Sequence, residues 1–373
     1  MRIKKLLCCM LATVMLIIAT PIAAQASPPR QIPYDHVLSR IISRDPAVTP
    51  LDRELRDANN TVRSANTAVR HFRHEPSMSI AAREANIHLL QVTAERDFLQ
   101  RERNHISISA EMQLRRHLVN IARYEADIRI LEYTLALQEG MLQRAEQLHR
   151  RGFVIASDVV EARQAIELSN LNMEMLEFFL QSERQQLNRL TNHPLDSHIR
   201  ITYTVDDSAL VPEDGDIEYL IAQVVDRYPC VMIWRANERI RHHELQIQLN
   251  TARNRYGEGH RMSPATEVIN SRMRRYHQSA ILERDTAKRQ AELQVRSALA
   301  HWEQLVEQQQ ILELSLAQAI REYEDMQARF NAGFATQIQV DSFAVDVAVQ
   351  EIMLEVHSYE FWIARMMVMH PYV

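Results

Sequence analysis

Histidines are the residues with the plainest capacity for chemistry. The chain carries 16 of them in 373 residues. His71 and His74 stand three apart, a spacing that sets two imidazoles one turn apart on a helix, where a transition metal could bind. His242, His243 and His193 are further donors. Most of the sixteen stand singly among polar residues, which is the pattern of solvated helix faces, and no metal site is expected. No phosphate-binding glycine loop, nucleophile elbow or zinc CxxC pattern occurs. The sequence therefore holds no catalytic set, and neither an enzyme nor a cofactor is expected. Charged residues make up 24% of the chain and are well mixed in sign. Such a surface does not suit nucleic acid.

The remaining chemistry is that of contact. Arg150 and Arg151 immediately precede Gly152 and form a basic tip. Two readings stay open: favourable charge at a helix C-terminus, or contact with an acidic or backbone-presenting partner.

The elements that position these residues are long helices. The chain has only six glycines. None of its 12 prolines falls between Pro76 and Pro194 or between Pro264 and Pro371. Glycine and proline cost a helix interior about 1 and about 3 kcal/mol, so two windows nearly cleared of both predict long helices. From Ala291 to Phe330, apolar residues recur at alternating steps of four and three: Ala291, Val295, Ala298, Trp302, Leu305, Leu312, Leu316, Ala319, Tyr323, Met326 and Phe330. Only Gln309 interrupts this heptad seam. Shifted by 181 positions, the seam returns at Ala110, Leu114, Ile121, Tyr124, Ile128, Leu131, Leu135, Leu142 and Ala145. His117, Gln138 and His149 interrupt it there, the two histidines as register or interface residues. Both runs then meet Gly-Phe, at Gly152-Phe153 and Gly333-Phe334.

A glycine just past a helix end can take the left-handed conformation that closes it. Thr336 sits where an N-cap would open the next helix, and Ser157-Asp158 offers the same service in the first copy. Upstream, Arg44-Asp45-Pro46 and Arg227-Tyr228-Pro229 each end a short amphipathic helix, 34–44 and 216–227. The chain reads as a tandem duplication. Repeat one spans 27–198 with its turn at 152–157, a linker spans 199–215, and repeat two spans 216–373 with its turn at 333–337. The long helices are expected at 85–151 and 266–332, their return helices at 156–192 and 337–369. A short strand is expected over Arg200–Val205. Trp302 is expected in the core, and Met366, Met367 and Met369 cap a packed end.

Residues 1–26 read as a signal peptide. Arg2, Lys4 and Lys5 precede the apolar run Leu6–Ile18, Pro21 breaks it, and Ala24-Gln25-Ala26 is a cleavage site. Loss of those three basic residues takes the formal charge from -5 to -8. Only Cys230 would remain, so no disulfide framework is expected. No later window suits a transmembrane helix.

With these turns and this duplication, the chain resembles the TolC family of outer-membrane efflux proteins over about residues 35–370. Gly152, Phe153, Asp158, Val159 and Ala162 carry the likeness in the first copy. Phe330, Gly333, Phe334, Thr336 and Val340 carry it in the second. The resemblance implies an all-α protomer of long antiparallel coiled-coil hairpins in two tandem repeats, three of which form a homotrimeric α-barrel. It implies a passive conduit in the cell envelope, at the outer membrane or in the periplasm, serving a tripartite efflux or type I secretion system. The tips, Arg150, Arg151, Gly152, Phe153, Asp158, Gly333, Phe334 and Thr336, would dock a periplasmic adaptor that joins an inner-membrane pump. Gln339 and Asp341 stand where an aperture ring would lie.

The sequence departs from that family where its membrane strands would be. A spanning strand needs ~9–11 alternating residues. The windows 70–90 and 252–272 hold only a brief alternation, Ser77-Met78-Ser79-Ile80, and the polar run Arg253–Arg261. Little or no β-structure is expected, and no direct insertion into the membrane. The alternative function is therefore a barrel-less envelope coiled coil acting as a structural or interaction partner of an export pump.

Overall fold

The computed structural model describes residues 30–72, 80–204, 216–256 and 263–372. Strand β1 (Arg30–Pro33) leads into helices α1 (Tyr34–Arg44), α2 (Val48–His71), α3 (Ile80–Arg150) and α4 (Ala156–Leu190). Strand β2 (Ile199–Thr202) follows, then α5 (Ile217–Arg227), α6 (Pro229–Tyr256), α7 (Pro264–Asn331) and α8 (Gln337–Met369). The helix series thus runs twice: 11, 24, 71 and 35 residues, then 11, 28, 68 and 33. At ~1.5 Å per residue, α3 and α7 are each about 100 Å long.

Local chemistry explains the joints. The residue before a proline is driven out of the helical region. Asp45 and Tyr228 accordingly sit at ψ +122° and +128° and end α1 and α5. Pro229 and Pro264 then serve as first residues of α6 and α7, where a missing N–H costs nothing. Ser263 caps α7 by accepting from the Thr266 amide at 3.3 Å. Asn192, at φ +54°, closes α4 by the same left-handed device that glycine uses elsewhere.

Each repeat is a hairpin with an upstream helix laid against its long arm. α4 packs on α3 and α8 on α7, while α2 lies along α3 and α6 along α7. α8 also runs along α3. Arg123 pairs with Glu360, and Arg129 with Glu355 at 2.8 Å. Rising numbers on α3 meet falling numbers on α8, so these two helices are antiparallel. α7 is therefore parallel to α3, and both hairpin turns point the same way.

Two larger cores sit away from the turns, beside a small cluster of Val62, Ala65 and Val92 between α2 and α3. One gathers Ile221, Val231, Val295, Trp302, Phe361 and Val368 from α5 to α8. The other gathers Ile32, Val37, Ile41, Leu114, Leu118 and Leu187 from β1, α1, α3 and α4, and it takes in Trp362 of α8. Off-seam residues of α3 are buried as well, among them Met112, Val119 and Ala126, because α2, α4, α6 and α8 all pack around that helix. Arg115 marks the junction. It lies 4.5 Å over the Trp362 ring and donates to the Trp362 carbonyl at 3.0 Å. It also pairs with Glu111 and reaches the Tyr34 hydroxyl at 3.4 Å. Burial pushes that hydroxyl up to about 12.

The strand differs from expectation. It covers 199–202 rather than 200–205, and it is not alone: β1 pairs with it in parallel, Arg30 opposite Ile199 and Pro33 opposite Thr202. Four residues with one apolar face, Ile199 and Ile201, give too short an alternation to reveal a partner 169 positions away. The rest of the expected linker, 205–215, lies outside the described residues, as do the expected signal peptide, His74 and Ser77–Ser79.

Candidate docking tips and assembly faces

The two hairpin turns are built alike. Gly152 and Gly333 take φ +79° and +82°. In the first turn Gly152 N–H bonds the His149 carbonyl at 2.9 Å and Phe153 N–H bonds the Leu148 carbonyl at 3.0 Å. In the second, Gly333 bonds Phe330 at 2.9 Å and Phe334 bonds Arg329 at 2.8 Å. This paired pattern is the Schellman closure, which satisfies carbonyls the helix end leaves unbonded. Its usual apolar contact is not made inward. Phe153 is 76% and Phe334 86% exposed. Two phenylalanines are thus held outward on closed turns at one end of the molecule.

Charge and capping set the turns apart. Arg150 and Arg151 stand exposed at the end of α3, where the helix dipole favours them. Thr336 caps α8 as expected, and with Gln339 it forms a reciprocal capping box, the Thr336 amide donating to Gln339 Oε1 at 2.9 Å. Gln339 is thus engaged in holding the turn. Asp341 is exposed and accepts from Gln337 Nε2 at 2.7 Å. The first copy differs from expectation: α4 begins at Ala156, and its N-cap is Ile155, which offers no side chain. Ser157 and Asp158 lie within its first turn, where the Asp158 carboxylate complements the positive end of the helix dipole without capping the helix.

The polar interruptions of the first seam are matched across the hairpin. His117 Nδ1 lies 2.8 Å from Glu183 Oε2, Ser169 Oγ donates to Gln138 Oε1 at 2.9 Å, and His149 Nδ1 lies 2.8 Å from the Val154 carbonyl. They fix register. In the second hairpin His357 Nε2 lies 2.8 Å from the Leu305 carbonyl. Sequence reading missed His357, which is buried one turn before Phe361.

Two apolar stripes face outward. Val160, Leu168, Leu171, Met175 and Phe178 of α4 are each at least half exposed. At 100° per residue they fall within an arc of about 80°, opposite the buried seam. On α7, Leu282, Leu293, Ile311 and Leu314 do the same.

Of the candidate pair His71 and His74, only His71 falls within the described residues. His71 is exposed, and His242 and His243 lie with ring centroids 6.1 Å apart. Among the described residues no group of three His, Cys, Asp or Glu is placed to hold an ion.

Comparison with solved structures gives this architecture its place. The outer membrane protein VceC of Vibrio cholerae superposes with a TM-score of 0.58 at 11% identity, over 90% of this chain and 95% of that one. CusC, whose structures concern transmembrane channel formation, gives 0.61 at 11% over 90% and 91%. The outer-membrane channel OprN gives 0.53 at 13% over 90% and 89%. The chain has the TolC-like outer-membrane channel fold. No protein-family model and no curated protein sequence matches it. These neighbours are channel proteins, not enzymes.

Within the TolC-like fold one dimension stands out. α2 ends at His71 and α3 begins at Ile80; α6 ends at Tyr256 and α7 begins at Pro264. Residues 72–79 and 257–263 are all that separates them, whereas two spanning strands and a turn need on the order of 25 residues.

Proposed function

We propose that the chain is one protomer of a passive export conduit in the cell envelope, a TolC-like component that works as a homotrimer and docks a periplasmic adaptor of an inner-membrane pump through its hairpin tips. The outward apolar stripes on α4 and α7 carry the reading. A protomer that leaves two such stripes in water is incomplete, and helices of neighbouring copies would cover them. The tips support docking through Phe153 and Phe334, with Arg150 and Arg151 adding charge on one of the two. Size-exclusion chromatography with light scattering tests the assembly: three copies are expected, and a monomer at micromolar concentration would overturn it. For docking, photo-crosslinking side chains placed at 153 and 334 in cells should trap an adaptor; capture from 171 but not from either tip would refute the assignment.

The short intervals between α2 and α3 and between α6 and α7 favour a second reading, a barrel-less relative that spaces or bridges the envelope beside a pump. Detergent-free purification separates the two. A soluble, monodisperse assembly that does not enter liposomes supports the barrel-less form, and ion conduction in a planar bilayer excludes it.

A further inference from the structure

α2 and α3 are antiparallel: Asp52 meets Arg103 at 3.5 Å, and Val62 packs with Val92. So are α6 and α7, where Glu238 meets Arg284 at 3.0 Å and His242 lies beside His277, ring centroids 5.1 Å apart. Because α3 and α7 are parallel, the ends of α2 and α6 and the starts of α3 and α7 meet at one end of the molecule, opposite the Gly-Phe turns.

That end is basic. Its outermost turns carry Arg63 and Arg70 on α2 and Arg83 on α3. Arg253 and Arg255 follow on α6, and Arg272, Arg274 and Arg275 on α7. All except Arg83 are exposed. Among the described residues 61–71, 80–90, 245–256 and 264–277, the only carboxylates are those of Glu84 and Glu267. With histidine neutral the local charge is +6, in a chain whose formal charge is -5. The helix dipole favours arginines in the last turns of α2 and α6. It gives no reason for Arg83 in the first turn of α3 or for the three arginines near the start of α7. Apolar side chains are interleaved with them: Val268 is 57%, Ile269 47% and Tyr276 49% exposed. At 100° per residue these three share an arc of about 120° with Arg272 and Arg275.

We propose that this end docks on an anionic phospholipid membrane surface as a peripheral, charge-driven contact.

The pairing of chemistries selects the partner. Headgroup phosphates take the arginines, and the interfacial zone takes tyrosine and aliphatic side chains beside them. Nucleic acid would satisfy the charge and leave Val268 and Ile269 in water. The negative balance of the remaining chain does not cancel the attraction. The next carboxylates along the four helices are Asp57, Glu95, Glu244 and Glu283. At ~1.5 Å per residue each lies ~18 Å or more from its helix end, about two Debye lengths at physiological salt. Such docking needs no spanning strand, and it stands apart from whatever the hairpin tips bind.

The test mixes the full chain with vesicles of phosphatidylethanolamine and phosphatidylglycerol and separates them by flotation, with phosphatidylcholine vesicles as the neutral probe. Flotation with the anionic vesicles is expected, with release at high salt, and the neutral vesicles should leave the chain behind. Arg272→Gln with Arg274→Gln and Arg275→Gln should weaken binding at least tenfold, since each arginine near such a surface contributes about fivefold. Val268→Ser with Ile269→Ser should weaken it severalfold. Circular dichroism should stay unchanged, because all five positions are exposed. Arg144→Gln with Arg321→Gln and Arg329→Gln removes the same charge from exposed positions nearer the turns and should leave binding intact. No flotation, or equal loss in both triple variants, would overturn the proposal. So would flotation that survives high salt and is equal on both lipids, which signals insertion and leaves the conduit reading standing. Retention on heparin by a chain that ignores vesicles would assign this end to another polyanion and overturn it too.

Discussion

Phe361 and Trp362 are neighbours in the chain and face different cores. Phe361 meets Trp302 edge-on, ring centroids 4.9 Å apart, inside the second repeat. Trp362 stacks on Tyr203 at 5.1 Å, and Arg115 of the first repeat lies over its ring. One helix turn of α8 therefore welds the two hairpins. Replacing either aromatic by alanine should cost about 3–5 kcal/mol in denaturant unfolding, the usual range for large core deletions. Trp362→Ala should additionally loosen β1, seen as faster amide exchange over 30–33.

Arg115 stabilises through several contacts at once, so Arg115→Ala should cost about 2–3 kcal/mol. Arg115→Lys should recover only part, because an ammonium cannot stack on Trp362 and bond its carbonyl together. Chemical denaturation of the two variants checks both statements.

Alkaline pH should weaken the fold through Tyr34. Its hydroxyl titrates at about 12 when folded, chiefly because burial disfavours the phenolate, against an ordinary 10.0. The raised folded value means the contribution is complete below pH 10 and is lost as pH rises toward 12, since the unfolded chain releases its proton first. Melting temperature should fall between about pH 10 and 12, and Tyr34→Phe should flatten that fall.

At the turns, nothing lies within 4 Å of a Cβ added to Gly152 or Gly333. Substitution there meets backbone strain rather than a clash. Gly333→Ala should cost about 1–2 kcal/mol, the penalty of a left-handed L-residue, and Gly333→Asn less. Thermal unfolding measures both.

Leu171→Glu together with Phe178→Glu places charge on a face the protomer leaves exposed. Helicity by circular dichroism should not change, while light scattering should show the assembly falling to single copies. A double variant that still assembles would remove the stripe from the interface.

The helices, their turns and the twin series were legible because each has a short-range cause: heptads, sparse breakers, Gly-Phe closures and Asp45-Pro46. The return helix α8 was legible to the residue. What escaped depends on neighbours. Trp362 lies off the heptad seam, and only the packing of α8 against the first hairpin gives it partners. His357 is a polar residue on the seam, whose partner, the Leu305 carbonyl, is a backbone atom that no side-chain pattern reveals. The partners of His117 and Gln138 across the hairpin could not be named from a seam alone. At the tips, a Ser-Asp pair suggested a cap, yet the backbone enters α4 two residues earlier, so Ile155 stands there instead.

The pairing of β1 with β2 bears on the order of events in folding. Arg30–Pro33 can find its partner only after residues 199–202 are available. A chain delivered N-terminus first must hold that segment unpaired while more than half its length emerges. The short α1 that follows buries Val37 and Ile41 in the same core, so the base of the first repeat closes late, after its own hairpin has zipped. Long-range closure of this kind is slow, and the unpaired strand is the segment a chaperone would have most reason to guard.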